Sequence, residues 1–89
     1  MDITFDLAKD KINLAKHGVS LADAKFLEWD EMVSWLDERF DYDEQRICGL
    51  APLGNTLYFI AFVERNDAPH VISLRKAINR EVKRYAEYY

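Results

Sequence analysis

Three consecutive segments in the second half of the chain constrain its fold more than any other feature. Residues 56–63 are dense in β-branched and aromatic side chains, as expected for a central β-strand. Residues 46–53 and 70–74 flank this run and are also typical of strands, and short segments with proline, glycine or asparagine separate all three. Consecutive strands joined by such short turns predict an antiparallel sheet.

Two helices are predicted before the sheet. Asp6 is a plausible N-cap for a helix over residues 7–17, and Gly18 suits a left-handed C-cap. Within it, the spacing of Ala8, Ile12 and Ala15, continued by Val19, predicts one apolar stripe. Ser20 is then expected to cap a second helix, which carries the apolar residues Leu21, Ala24 and Leu27.

The remaining elements complete an α+β arrangement. Residues 2–5 are predicted to be a short extended start, and residues 32–40 alternate as in a half-buried strand. Residues 76–89 are predicted to be helical, with an apolar stripe of Ile78, Val82, Tyr85 and Tyr89. The fold expected is an antiparallel sheet of about four strands with two N-terminal helices and one C-terminal helix, with one sheet face open to a ligand.

Length and composition narrow the class of protein. A chain of 89 residues, of which 49% are hydrophobic, predicts a single domain over residues 1–89. Cys48 is the single cysteine, so no internal disulfide is expected, and its alternating apolar context favours core packing. No apolar run approaches a membrane span and the N-terminus lacks a signal-peptide pattern, which favours a cytoplasmic location. The sequence shows no metal-ligand spacing and no phosphate-binding glycine loop, so neither metal nor cofactor is expected.

The charges are unevenly distributed. The net charge is −4, which does not favour nucleic-acid binding by overall electrostatics. Residues 23–44 are strongly acidic, whereas basic residues predominate from Arg65 onward. The C-terminal part can therefore attract an anion locally while the whole chain stays acidic.

Several residues fit the chemistry of RNA cleavage, in which a base activates the ribose 2′-hydroxyl, cations stabilise the phosphorane and an acid protonates the leaving oxygen. Arginine suits the phosphate because its planar guanidinium donates bidentately. Arg65 and Arg75 end neighbouring strands and would face one phosphate if the register allows. Alternatively, Arg75 pairs with a carboxylate such as Glu64, itself a candidate for proton transfer.

Other candidates carry equally open alternatives. Arg46 is either a third phosphate ligand or the partner of an acidic residue in the preceding turn. His17 is either a general acid beside Lys16 or simply the end of its helix. Tyr85 shares a helix face with Glu81 but also fits the apolar stripe. Arg80 and Arg84 form an exposed pair useful against RNA or an acidic protein, whereas His70 is expected to be structural.

In these features the chain resembles the BrnT family of type II toxins. The matching residues span most of the chain: Phe5-Asp6, where the family typically has Trp-Asp, Asn13, residues 16–20 (Lys-His-Gly-Val-Ser), the acidic turn before Arg46, Gly49, residues 63–65, residues 71–77, Glu81 and Tyr85. The resemblance implies a fold like that of RelE and microbial ribonuclease toxins. It also implies a bacterial ribonuclease that stops translation, a ribbon-helix-helix antitoxin (BrnA), and contact with operator DNA only through that antitoxin.

Two functions are therefore carried forward. The first is a metal-independent endoribonuclease toxin of the bacterial stress response, with catalytic and RNA-binding candidates distributed along the whole chain. The catalytic candidates are His17, Glu64, Arg65 and Arg75. The RNA-binding candidates are Phe5, whose ring can still stack on a base, together with Lys16, Arg46, Arg80, Arg84 and Tyr85. The second is a non-catalytic module that binds protein or RNA within a toxin–antitoxin complex.

Overall fold

A computed structural model of the chain describes residues 1–39 and 43–88 and shows an α+β fold. The elements in chain order are β1 (Thr4–Phe5), α1 (Leu7–His17), two 3-10 helices (Leu21–Phe26 and Trp29–Glu31), β2 (Val33–Leu36), β3 (Arg46–Leu53), β4 (Thr56–Arg65), β5 (Ala68–Lys76) and α2 (Asn79–Ala86). No helix among the described residues is long and apolar enough to cross a membrane.

The five strands form one mixed sheet in the order β1-β5-β4-β3-β2. The predicted meander is confirmed, since β2 to β5 pair with their chain neighbours in antiparallel fashion. The expectation of a purely antiparallel sheet of about four strands is wrong, because β1 adds a fifth strand in parallel to β5, with Thr4 opposite His70 and Phe5 opposite Val71. A two-residue strand is too short for an alternating pattern to reveal its partner or direction.

The main hydrophobic cluster lies on one face of the sheet. Ile60, Phe62, Val71 and Leu74 are buried there against Leu21, Ala24 and Leu27 from the segment around the first 3-10 helix. Ser20 caps that segment as predicted, its hydroxyl accepting from the Ala22 amide, although the helix is 3-10 rather than α. The capping residues therefore marked this element correctly, while its tighter winding was not predicted.

Helix α1 packs through polar side chains. Its predicted caps are confirmed: the Asp6 carboxylate accepts from the Ala8 and Lys9 amides, and Gly18 ends the helix at a φ of 72°. Its one buried residue is Asn13, which donates to the Leu74 carbonyl at 2.8 Å and to the Val19 carbonyl at 2.9 Å. The predicted stripe of Ala8, Ile12 and Ala15 instead lies on the exposed side.

Helix α2 lies across the opposite face of the sheet. Residues paired across an antiparallel ladder share a face, so Arg75 projects with Phe59, away from the core side of Leu74. Glu81 of α2 binds Arg75, and Arg84 of α2 stacks on Trp35 of β2. The helices therefore occupy both faces, and the face expected to be open is partly covered by α2.

Some predicted positions lie outside the described residues. They are Phe40 at the end of the strand predicted over residues 32–40, Asp41 and Tyr42 of the acidic turn, and Tyr89 of the last apolar stripe. Within the described part, β2 ends at Leu36 and α2 begins at Asn79, so both elements are shorter than their predicted ranges.

Candidate functional site

Arg75 is held from three directions on the face beneath α2. Its guanidinium carbon lies 4.2 Å from the centre of the Phe59 ring, the residue opposite it in the ladder. Its Nη1 and Nη2 atoms donate to the two carboxylate oxygens of Glu81 at 2.8 and 2.9 Å, and Nη1 also reaches the Lys76 carbonyl at 3.2 Å. Stacking and bidentate pairing together fix the plane of the guanidinium.

Glu81 links this arginine to the start of α2. Its Oε1 atom accepts from the Ile78 amide at 2.9 Å, where a helix leaves backbone donors unpaired. Burial by itself raises the pKa of Glu81, but the hydrogen bonds from Arg75 and the Ile78 amide outweigh it and hold that pKa below its ordinary value. Glu81 is therefore an ionised partner of Arg75 at neutral pH.

A second arginine stacks on a second ring nearby. The guanidinium carbon of Arg84 lies 4.0 Å from the centre of the Trp35 ring, and Trp35 lies 6.4 Å from Phe59 between ring centres. The Tyr85 hydroxyl donates to the Glu31 carbonyl at 2.8 Å and ties α2 to the segment before β2. These contacts place two arginines over two neighbouring aromatic rings.

The space between α2 and the sheet is a cleft of about 520 Å³. Four arginines and three carboxylates line it, together with both rings and Cys48. The charged residues are Arg39, Arg75, Arg80, Arg84, Asp37, Glu38 and Glu81. Cationic guanidinium groups in a groove with aromatic rings are a combination that proteins use to bind single-stranded nucleic acid. This cleft, called here the α2 cleft, is the candidate functional site.

The chain was compared with known proteins. Residues 5–81 match the family described as "Ribonuclease toxin, BrnT, of type II toxin-antitoxin system". The chain belongs to the BrnT family. A search of curated proteins returned no match. Membership makes the chain a ribonuclease toxin of a toxin–antitoxin system, with RNA as substrate and an antitoxin as partner.

Only part of the predicted set lies in the α2 cleft. Arg75, Arg80 and Arg84 line it, and Tyr85 anchors the helix that forms its roof. Arg46 and Arg65 line a different cleft of about 400 Å³, with His70 and Lys9. Arg65 pairs with Ala68 near the turn, whereas Arg75 pairs with Phe59, so the two lie about 20 Å apart at about 3.3 Å per residue. They cannot hold the same phosphate.

The second cleft carries its own ion pair. Arg65 donates to both carboxylate oxygens of Glu44. These hydrogen bonds lower the pKa of Glu44 and raise that of Arg65. His70 accepts from or donates to the Thr4 hydroxyl at 2.8 Å, which connects β5 to β1 and fits the structural role expected of it. Three basic side chains and three carboxylates line this cleft, so its charges are balanced.

The remaining candidates lie elsewhere. His17 and Lys16 line a small pocket of about 170 Å³ beside β5, with Asn13 and Ser73. Glu64 is exposed near the end of β4, on the opposite side of the strand from Arg65. Phe5 is half-buried against the core cluster. The structure thus brings together the C-terminal arginines and separates them from the N-terminal His-Gly-Val segment.

Sequence reasoning did not assign Trp35, Phe59 or Glu81 to the site. The two rings lie on strands far apart in sequence and meet only through the register of β2, β3 and β4. Glu81 carried one usable signal, since it lies three residues after Ile78, the distance at which a carboxylate returns to cap a helix start.

Proposed function

We propose that this chain is an endoribonuclease whose scissile phosphate is bound by Arg75 in the α2 cleft. The observation that carries the proposal is the fixed guanidinium of Arg75 in an arginine-lined, ring-lined cleft of a chain from a ribonuclease toxin family. Phosphodiester cleavage gains most from donors that are already in place where negative charge develops.

The hydrogen bonds of Arg75 leave part of its donor set for a ligand. A guanidinium carries five N–H groups. Three of them engage Glu81 and Lys76, so among the described residues Nε–H and one N–H of Nη2 remain for a phosphate. These two donors lie on one edge of the planar group, the edge that binds oxyanions side by side. Arg75 can thus bind phosphate without releasing Glu81.

The reaction proposed is transfer of the phosphoryl group to the neighbouring ribose oxygen. A base takes the 2′-hydroxyl proton, the 2′-oxygen bonds to phosphorus, and the bond from phosphorus to the 5′-oxygen breaks. The leaving oxygen takes a proton, which yields a 2′,3′-cyclic phosphate and a free 5′-hydroxyl. Arg75 and Arg80 stabilise the extra negative charge of the phosphorane, while Trp35 and Phe59 hold the guanidinium planes of Arg84 and Arg75 in place.

Further features extend the proposal beyond family membership. Cleavage is proposed to need no metal ion, to act in the cytoplasm and to inhibit translation. Neutralisation is proposed to come from a BrnA-like ribbon-helix-helix antitoxin, through which the complex would reach operator DNA. Neither His17 nor Glu64 lines the α2 cleft, so in this proposal neither exchanges a proton at the phosphate that Arg75 binds.

The test is cleavage of a fluorescently labelled RNA by the purified chain in the presence of a metal chelator. We expect wild type to cut, Arg75→Ala to lose most activity and Arg75→Lys to recover little of it, since lysine keeps the charge but not the planar pair of donors. Lys25→Ala is the matched control, because Lys25 is a cation beside an aromatic ring, Phe26, away from the cleft.

Full activity in Arg75→Ala would exclude Arg75 from the chemistry. Activity that disappears with chelator and returns with magnesium would overturn the metal-independent scheme. Growth arrest of the expressing bacteria with intact RNA would favour a binding module without catalysis.

A further inference from the structure

The outward side of α1 carries apolar side chains that no described part of the chain covers. Leu7 is 73% exposed, Ile12 65% and Leu14 51%, and Ala8 and Ala15 are exposed between them. At 100° per residue, Ala8, Lys11 and Ala15 lie opposite the buried Asn13, with Leu7 and Leu14 on one flank and Ile12 on the other. These residues are called here the α1 surface.

The inward side of the same helix is polar and hydrogen-bonded, so the fold itself keeps the apolar side chains of α1 facing outward. Asn13 bonds the backbone of Leu74 and Val19, and Asp10 accepts from the Ser20 hydroxyl at 2.9 Å and the Leu21 amide at 2.7 Å. Side-chain hydrogen bonds therefore fix the rotation of α1. Turning the helix to bury its apolar side would break all of them.

The α1 surface carries a single charged side chain, Lys11, which lies at its centre. Lys9, Asp10 and Lys16 lie on the inward half of the helix: hydrogen bonds hold Asp10 there, and both lysines line pockets beside β5. An apolar helix face with a central lysine complements an amphipathic segment that places a carboxylate beside its apolar stripe.

We infer that the α1 surface docks an acidic amphipathic segment of the antitoxin. The inference rests on the toxin–antitoxin assignment, which supplies the partner, and on the exposed side of α1, which supplies the contact surface. A second copy of this chain fits less well, because a two-fold contact centred on α1 would bring Lys11 against Lys11. RNA fits less well, because aliphatic side chains offer no stacking face to bases. The α1 surface shares no residue with the lining of the α2 cleft, so docking there leaves that cleft free for a separate neutralising contact.

The test measures binding of the purified chain to the protein encoded by the adjacent gene, using isothermal titration calorimetry. We expect Leu14→Glu and Lys11→Glu each to weaken binding by roughly tenfold or more, whereas Leu14→Met and Lys11→Arg keep it near wild type. Phe26→Glu is the control, since it places the same charge at an apolar side chain of similar exposure (61%) outside the α1 surface.

Three results of this binding experiment would contradict the docking proposal. Unchanged affinity in Leu14→Glu and Lys11→Glu, equal loss in Phe26→Glu, or no binding of the adjacent gene product to wild type would overturn it. Concentration-dependent dimerisation that Leu14→Glu abolishes would identify a second copy as the occupant instead. RNA cleavage by the same variants, measured without the partner, distinguishes this proposal from the proposed enzyme. Variants that cleave RNA at the wild-type rate but no longer bind the partner support the α1 surface as a docking site. If wild type does not cleave RNA, the proposed enzyme is refuted and the binding result still stands.

Discussion

The side-chain amide of Asn13 hydrogen-bonds the backbone of Leu74 in the way that a neighbouring strand would. Its Nδ2 donates to the Leu74 carbonyl at 2.8 Å and its Oδ1 accepts from the Leu74 amide at 3.2 Å, so both backbone groups are paired beyond the point where β1 ends. One side chain thus closes an otherwise open stretch of the β5 edge, which would be a site for pairing with another chain.

Asn13→Ala should therefore destabilise the fold strongly. It leaves both backbone groups of the buried residue Leu74 without the partner that Asn13 provided, at an expected loss of about 2–3 kcal/mol in the free energy of unfolding. Urea denaturation followed by circular dichroism measures this. Leu7→Ala on the same helix should stay within about 0.5 kcal/mol, because the side chain is exposed. Equal stability of Asn13→Ala and wild type would mean that water replaces the amide.

The ion pair of Glu81 with Arg75 should give stability a specific pH dependence. The pKa of Glu81 is lower in the folded state than its ordinary value of 4.5, so the unfolded chain binds more protons in that range. The stabilisation is then complete above about 4.5 and is lost as the pH falls through the folded pKa. The difference in unfolding free energy between wild type and Glu81→Gln should shrink on acidification. Glu87→Gln, at the exposed end of the same helix, should track wild type, and a constant difference for Glu81→Gln would contradict the shift.

Arg84→Ala should weaken RNA binding and its dependence on salt. Removal of a cation that contacts a phosphate of single-stranded RNA lowers the slope of log K against log salt by about 0.7. Fluorescence anisotropy of a labelled RNA at several salt concentrations gives this slope, with cleavage blocked by a 2′-deoxy substitution at the cut site. Lys83→Ala removes the same charge from α2 outside the lining of the cleft and should leave the slope unchanged. Equal slopes for both variants would place Arg84 away from the RNA.

Cys48 should react slowly with thiol reagents in the folded protein. The residue is 3% exposed, and burial raises the pKa of its thiol, so both access and thiolate content are reduced at pH 8. We expect the rate of reaction with Ellman's reagent to rise steeply across the urea unfolding transition. Reaction in native buffer as fast as that of the denatured chain would show that the α2 cleft, which Cys48 lines, opens widely in solution.

Local chemistry made much of the fold predictable. Capping residues are read within a few positions of each other, which is why Asp6, Gly18 and Ser20 were assigned correctly. The runs that became β3, β4 and β5 carry enough β-branched and aromatic side chains to outweigh other structures.

What escaped prediction depends on distant partners. Periodicity shows that α1 has an apolar side, but not that Asn13 and Asp10 would turn the polar side inward. The separation of Arg65 from Arg75 follows from strand register, which the sequence alone left open. The stacking of Arg75 on Phe59 depends on the same register, so the site was predicted as a set of arginines and not as a geometry.

The parallel pairing of β1 with β5 has a consequence for how the nascent chain folds on the ribosome. Thr4 and Phe5 are synthesised long before His70 and Val71, the residues that β1 pairs with. Such a long loop is slow to close, and no shorter nascent chain can complete the sheet. A nascent chain that has not reached Val71 therefore has no complete partner for β1, and the five-stranded sheet forms only after that residue is free.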